Sequence, residues 1–99
     1  MPEKTTQEIL SMAHAALDNV EVDDRMPDAP PIRIAVQDDN VEHSTYAWRV
    51  AVLPSREPRR WSYLREELAI AAGDIEETTG VNIIFWSLDP VSNAPAATA

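Results

Sequence analysis

The stretch that decides the fold is Val81-Asn82-Ile83-Ile84-Phe85-Trp86-Ser87-Leu88, which directly follows Gly80. Successive side chains of a β-strand point to opposite faces of its sheet, so this segment presents bulky apolar side chains in both directions. Such a pattern is typical of a strand that is covered on both faces. The stretch therefore predicts a central or doubly covered strand near the C-terminal end of the chain.

The segment before this strand has the pattern of a long helix, from about Pro58 to Thr78. Its apolar stripe recurs at helical spacing and consists of Trp61, Leu64, Leu68, Ala71, Ala72 and Ile75. Gly80 suits a left-handed C-terminal cap, whereas Gly73 lies inside the helix and weakens it by roughly 1 kcal/mol. A helix between two strands predicts a right-handed parallel crossover.

The N-terminal half predicts a first helix from about Thr6 to Asn19, in which Thr5 and Glu8 have capping-box spacing. Alternating apolar residues then predict two strands, Ile32–Gln37 and Tyr46–Leu53. The acidic residues between these strands indicate a loop, so the pair is predicted to form an antiparallel hairpin.

These elements predict an α+β domain, a two-layer sandwich of order α-β-β-α-β with a three-stranded mixed sheet and both helices on one face. The domain spans residues 1–88, with an acidic, Pro-rich loop at 21–31, and residues 89–99 are expected to form a flexible tail. The sheet residues expected to pack under the helices are Ile32, Ile34, Val36, Trp48, Val50, Ile83 and Phe85.

Composition limits the possible functions of these 99 residues. The absence of cysteine excludes disulfides and thiolate chemistry, and two glycines are too few for a Gly-rich phosphate loop. The net charge of −9 makes direct nucleic-acid binding unlikely and suits a basic protein partner. With no apolar run long enough for a membrane span and no secretory signal, we expect a cytoplasmic protein with no membrane partner.

No pattern in the sequence predicts a catalytic residue, a metal site or a cofactor. The two histidines, His14 and His43, lack metal-binding spacing. Asp38 and Asp39 are typical turn residues, although with Glu42 they could chelate a hard cation. Serine-nucleophile signatures are also absent. We therefore expect a protein that is not an enzyme.

The sheet face away from the predicted helices is the most informative feature. Alternation places on it two arginines and an apolar strip, Arg33, Arg49, Ile84, Trp86 and Leu88. Either the 21–31 loop or the tail covers the strip, or the strip lies at a sheet edge. Alternatively, this face or the adjacent strand edge binds a partner, often a second copy of the chain. Arg and Trp are favoured at the centres of interfaces.

A basic cluster at the start of the second helix supports an alternative. It consists of Arg56, Arg59, Arg60 and Arg65. These cations oppose the helix dipole, so they either pair with nearby carboxylates, including those of the acidic 21–31 loop, or bind an anionic, phosphate-like group.

The favoured function is a small acidic, non-catalytic protein-interaction module that self-associates, as a dimer, through its open sheet face or edge. The alternative is a small ligand-binding domain or enzyme that uses the Arg56–Arg65 cluster for an anionic group. A weaker alternative is a regulator that associates with nucleic acid through Arg33, Arg49 and Trp86, or that mimics nucleic acid through its acidic surface.

Overall fold

The computed structural model describes residues 4–90, and the protein is an α+β fold with two helices and a mixed sheet. The elements are α1 (Thr6–Leu17), β1 (Glu21–Val22), β2 (Ile32–His43), β3 (Trp48–Pro54), α2 (Trp61–Thr79) and β4 (Ile83–Ser87). The order is thus α-β-β-β-α-β, and the predicted order with three strands is wrong. Most of the predicted tail, residues 91–99, lies outside the described residues.

The additional strand is β1, which lies at the start of the predicted 21–31 loop. Glu21 and Val22 pair antiparallel with Arg33 and Ile32 of β2. The side chain of Val22 is buried in the core, whereas Glu21 is exposed. Two residues are too few for a period-2 pattern, so the strand could not be seen in the sequence.

The four strands lie in the order β1-β2-β3-β4. β2 and β3 are antiparallel, and β4 is parallel to β3, which confirms the predicted parallel crossover through α2. β4 is therefore an edge strand, and the prediction of a central strand is wrong. Its alternation is real, however, because Ile83 and Phe85 are buried in the core while Ile84 and Trp86 point to the opposite face.

The β2–β3 hairpin is longer than predicted. β2 continues to His43, and its pairing with β3 shifts register between Val36 and Val41. The acidic residues expected in the turn thus lie in a bulge, where extra residues can remain exposed without ending the strand. The turn itself follows at Ser44, whose side chain accepts a hydrogen bond from the Ala47 N–H.

Both helices pack on one face of the sheet and share a single core. The buried helical side chains belong to Ile9, Ala13 and Leu17 of α1 and to Leu64, Leu68, Ala71 and Ile75 of α2. They meet Ile32, Ile34, Val36, Val50, Val52, Ile83 and Phe85 of the strands, with Trp48 partly buried beside them. Each fully buried Leu or Ile contributes about 1.5–3 kcal/mol. Within residues 4–90, neither helix is long and apolar enough to cross a membrane.

The helix ends explain where α1 and α2 begin and stop. The predicted capping box between Thr5 and Glu8 is confirmed. Gly80 adopts a left-handed conformation (φ 76°), and its N–H donates to the carbonyl of Glu76, as expected for a C-cap. α2 begins at Trp61, later than predicted, and Arg60 in the N-cap position makes no side-chain capping bond.

Candidate functional site

The two arginines of the open sheet face lie far apart. Arg49 pairs with Ile84 in the β3–β4 register, whereas the N–H of Arg33 donates to the hydroxyl of Ser55 just beyond the other end of β3. At about 3.3 Å per residue, these two backbone positions are separated by about 20 Å. The face therefore does not carry one arginine cluster.

Each of these arginines is also neutralised within its own chain. Arg33 lies 3.3 Å from a carboxylate oxygen of Glu21, and Arg49 lies 3.6 Å from one of Glu42. The guanidinium of Arg49 also lies 5.6 Å from the ring centroid of Trp86, a cation–π contact worth about 0.5–1 kcal/mol at an exposed site. The open face thus has no excess of positive charge from these two residues.

The apolar strip on this face is only partly covered. Ile84 remains 48% exposed, while Trp86 and Leu88 are partly buried. Trp86 lies opposite Ala51 in the register, and its Nε1 is buried without a hydrogen-bond partner in the described part of the chain. Loop 21–31 does not shield Ile84, which keeps its side chain open to solvent.

The edge of β4 carries unpaired backbone groups. The carbonyl of Asn82 accepts a hydrogen bond from the N–H of Trp48, and the N–H of Leu88 donates to the carbonyl of Val52. In a parallel ladder, alternate residues of a strand face its neighbour. The N–H and C=O groups of Ile83, Phe85 and Ser87 therefore point away from β3, and among residues 4–90 no strand lies there to receive them.

This edge lacks the usual protection against pairing. Natural sheets blunt an exposed edge with charged residues, proline, bulges or a very short strand. The opposite edge consists of β1, which has two residues, and of the part of β2 that β1 does not cover, which carries acidic residues and a bulge. β4 has five residues, Ile-Ile-Phe-Trp-Ser, with neither charge nor proline, so it is open to an additional strand.

A groove of about 880 Å³ runs between the β4 edge and α2. The middle of its helical wall consists of small residues, Ala69, Ala72 and Gly73. A Cβ placed on Gly73 would meet none of the described atoms within 4 Å. The groove is therefore wide enough at its centre for another backbone to approach the helix.

The two ends of the helical wall of the groove have opposite charge, and Asp89, which follows β4, also lines the groove. Arg65 lies toward the N-terminus of α2 and Glu76 toward its C-terminus, and both line the groove. Neither side chain has a hydrogen bond or ion pair within residues 4–90. The helix dipole runs in the same sense, positive at the N-terminal end, so an occupant should carry its own charges in the reverse order.

The predicted basic cluster is divided by the structure, and Arg56 is occupied internally. Its two terminal nitrogens lie 2.7 and 2.6 Å from the carboxylate oxygens of Asp24, and its Nε donates to the carbonyl of Pro30. Asp24 is 1% exposed and also accepts a hydrogen bond from the N–H of Arg59. The Arg56 guanidinium, followed by the Arg59 N–H, holds the pKa of Asp24 well below its ordinary value.

The other three arginines have separate positions. Arg65 lines the groove, Arg60 occupies the N-cap position of α2, and the guanidinium of Arg59 donates to the carbonyl of Arg25 at 3.4 Å. Arg25 itself has a positive φ of 62°. Within residues 4–90, none of these arginines has a carboxylate partner.

The histidines are used in structural contacts. His14 places Nδ1 2.8 Å from Asp18 and Nε2 2.6 Å from Asp38, which ties α1 to the bulge of β2. The bond to Asp38 and then that to Asp18 raise the pKa of His14. His43 stacks on Trp48 with ring centroids 3.9 Å apart. No group of His, Asp and Glu side chains in the described part of the chain is arranged to hold a metal ion.

Sequence reasoning found the strip on β4 and offered the 21–31 loop as a partner of the arginines, but it did not single out the Asp24–Arg56 pair and it missed the groove. The lack of charge from Val81 to Leu88 is compatible with either an edge or a central strand, so it does not locate the groove. Comparison with known proteins finds no protein family, no curated sequence and no solved structure that matches this chain.

Proposed function

We propose that this chain is a small non-catalytic protein-interaction module that self-associates along the free edge of β4. The observation that carries this proposal is the unprotected edge itself: the outward backbone groups of Ile83, Phe85 and Ser87 lie beside the half-exposed side chain of Ile84. The adjoining groove supplies room for an added strand and its side chains.

Strand addition is a recurring mode of recognition in which backbone hydrogen bonds give affinity and side-chain pockets give specificity. Docking at β4 would satisfy the outward backbone groups and bury the exposed part of Ile84. The neutralised arginines of the open face make the edge, rather than the centre of the face, the better docking site. For the same reason we do not propose nucleic-acid binding through Arg33, Arg49 and Trp86.

Proline at position 87 tests the edge directly. The N–H of Ser87 points away from β3, so Ser87→Pro removes a donor that the isolated fold does not use. Ser87→Ala is the matched control, because it removes the hydroxyl and keeps the N–H. We expect light scattering and sedimentation equilibrium to show dimers for the wild type and Ser87→Ala, and monomers for Ser87→Pro. A wild-type chain that remains monomeric at about 1 mM would contradict the proposal.

A second candidate function is the binding of an anionic, phosphate-like group at the start of α2. It is favoured by Arg59 and Arg60, which directly precede α2 and have no carboxylate partners in the described part of the chain. Thermal shift with inorganic phosphate and nucleoside triphosphates tests it. We would expect stabilisation by ligand that is lost in Arg60→Ala and retained in Arg33→Ala, whose guanidinium is already paired. No shift with any of these anions would eliminate this candidate.

A further inference from the structure

We infer that the occupant of the groove is a second copy of this chain, placed by a two-fold axis that passes beside Phe85 of β4. The same axis passes between Ala69 and Ala72 of α2. Arg65 of each copy then meets Glu76 of the other. This inference rests on the proposed docking edge, and it adds the register and the residues that select the partner.

The register follows from which backbone groups of β4 are free. In an antiparallel pair centred on Phe85, this residue exchanges both of its hydrogen bonds with Phe85 of the second copy, while Ile83 exchanges both with Ser87. All outward groups of the strand are then paired. A shift of this register by one residue would place outward groups of one β4 opposite groups of the other that already bond to β3. A shift by two residues would leave a residue at one end of each β4 without a partner.

The same register brings the exposed apolar residues together. Ile84 of one copy lies directly opposite Trp86 of the other, and the symmetry makes this contact twice. Cross-strand pairs of an aromatic and a β-branched residue are among the favourable pairs in sheets. The contact would cover Ile84, whose side chain is otherwise 48% exposed.

The groove wall on α2 is complementary to itself under this axis. With the two helices antiparallel, Ala69 lies opposite Ala72, and Leu68 lies opposite Gly73. The distance between packed helices depends on the side chains at their contact, so these small residues allow a close approach. The open space beside Gly73 leaves room for α2 of the second copy to approach.

Charge identifies a second copy as the occupant. The helical wall of the groove has Arg65 at one end and Glu76 at the other, so a helix packed against it should present an acid to the first and a base to the second. A second copy in the antiparallel orientation meets both requirements with its own Glu76 and Arg65. A uniformly basic segment would be repelled at the Arg65 end.

Charge reversal and mixing test this arrangement. Arg65→Glu alone and Glu76→Arg alone each replace two attractive contacts in the dimer by two like-charge contacts. We expect each to raise the dimer Kd about tenfold or more at low ionic strength. An equimolar mixture of the two variants restores both attractive contacts and should form heterodimers of near wild-type affinity, seen by native mass spectrometry and sedimentation. The double variant should also dimerise.

Arg60→Glu and Glu77→Arg are the matched controls, because they make the same charge changes at exposed positions outside the groove lining. They should leave the dimer Kd within about twofold. One outcome would overturn the two-fold arrangement and leave the proposed edge intact. In it, charge reversal at position 65 or 76 leaves the dimer Kd unchanged, while Ser87→Ala still dimerises and Ser87→Pro is still monomeric. A monomeric wild-type chain would instead overturn the docking edge itself.

Discussion

Gly73 gives the sharpest test, because the same substitution should stabilise the monomer and weaken the dimer. Gly73 lies in the interior of α2, is exposed, and has open space where a Cβ would be placed. Alanine is more favourable than glycine in a helix interior by about 0.8–1.0 kcal/mol. In a domain of this size, that change should raise the melting temperature by about 4–8 °C.

Gly80 provides a matched control with the opposite sign. It also has open space around its Cβ position, but its φ is 76°. An L-residue with a side chain pays about 1–2 kcal/mol for this left-handed conformation, so Gly80→Ala should lower the melting temperature. Gly73→Ala and Gly80→Ala thus differ in the backbone conformation of the substituted residue, and not in the space available for the added methyl group.

The assay is thermal unfolding followed by circular dichroism at about 5 µM and about 500 µM, since self-association makes the melting temperature depend on concentration. At the lower concentration Gly73→Ala should melt above the wild type. At the higher concentration its advantage should shrink, because the added methyl group occupies space that the close approach of α2 from the second copy requires. A melting temperature at or below that of the wild type in dilute solution would refute the assignment of Gly73 to an unpartnered helical position.

Three further results are expected. Ile84→Lys should raise the dimer Kd more than tenfold, since burying the exposed half of Ile84 in both copies is worth about 1.5–3 kcal/mol in total. Ile70→Lys, at a residue that is 52% exposed and outside the groove, should leave the dimer Kd unchanged. Equal effects of the two variants on the Kd measured by sedimentation would refute this prediction. The lowered pKa of Asp24 means that its stabilisation is present above the ordinary value of 3.8 and is lost as the pH falls below it. Between pH 7 and 2 the melting temperature should therefore fall less steeply in Asp24→Asn than in the wild type. Parallel curves of melting temperature against pH would argue against the buried pair. The raised pKa of His14 means that its stabilisation is present below pH 6.5 and is lost as the pH rises through the folded-state pKa. The difference in melting temperature between the wild type and His14→Gln should therefore shrink from pH 6 to 9. A constant difference would contradict the ion-paired geometry.

The helices and the longer strands could be predicted from the sequence because their signals are local. The capping box of Thr5 and Glu8 and the left-handed cap at Gly80 each involve residues within one or two turns of a helix. Period-2 alternation likewise separated Ile83 and Phe85 from Ile84 and Trp86. These patterns show which side chains share a face, but not which strands are neighbours.

The features that escaped prediction depend on distant parts of the chain. Asp24 and Arg56 are separated by 32 residues, so the sequence could offer the 21–31 loop as a partner of the arginines but could not single out this pair or its burial. Asp38 and Asp39 carry turn chemistry, yet the contact between Asp38 and His14 holds this segment in a bulge. The place of β4 at the edge follows from sheet order, which alternation cannot encode.

The same sheet order also limits how far self-association can proceed. An uncharged, apolar edge strand is a hazard, because it can recruit many copies into an open-ended assembly. Within residues 4–90, however, each copy has one such uncharged edge, since β2, which β1 covers only at Ile32 and Arg33, carries acidic residues and a bulge along the rest of its length. Pairing of β4 with itself across a two-fold axis consumes both uncharged edges and leaves exposed only those that carry acidic residues and a bulge. The net charge of −9 on every copy opposes each association step. Beyond the dimer no uncharged edge of the described residues remains to offset that repulsion, so association through this edge should close at the dimer.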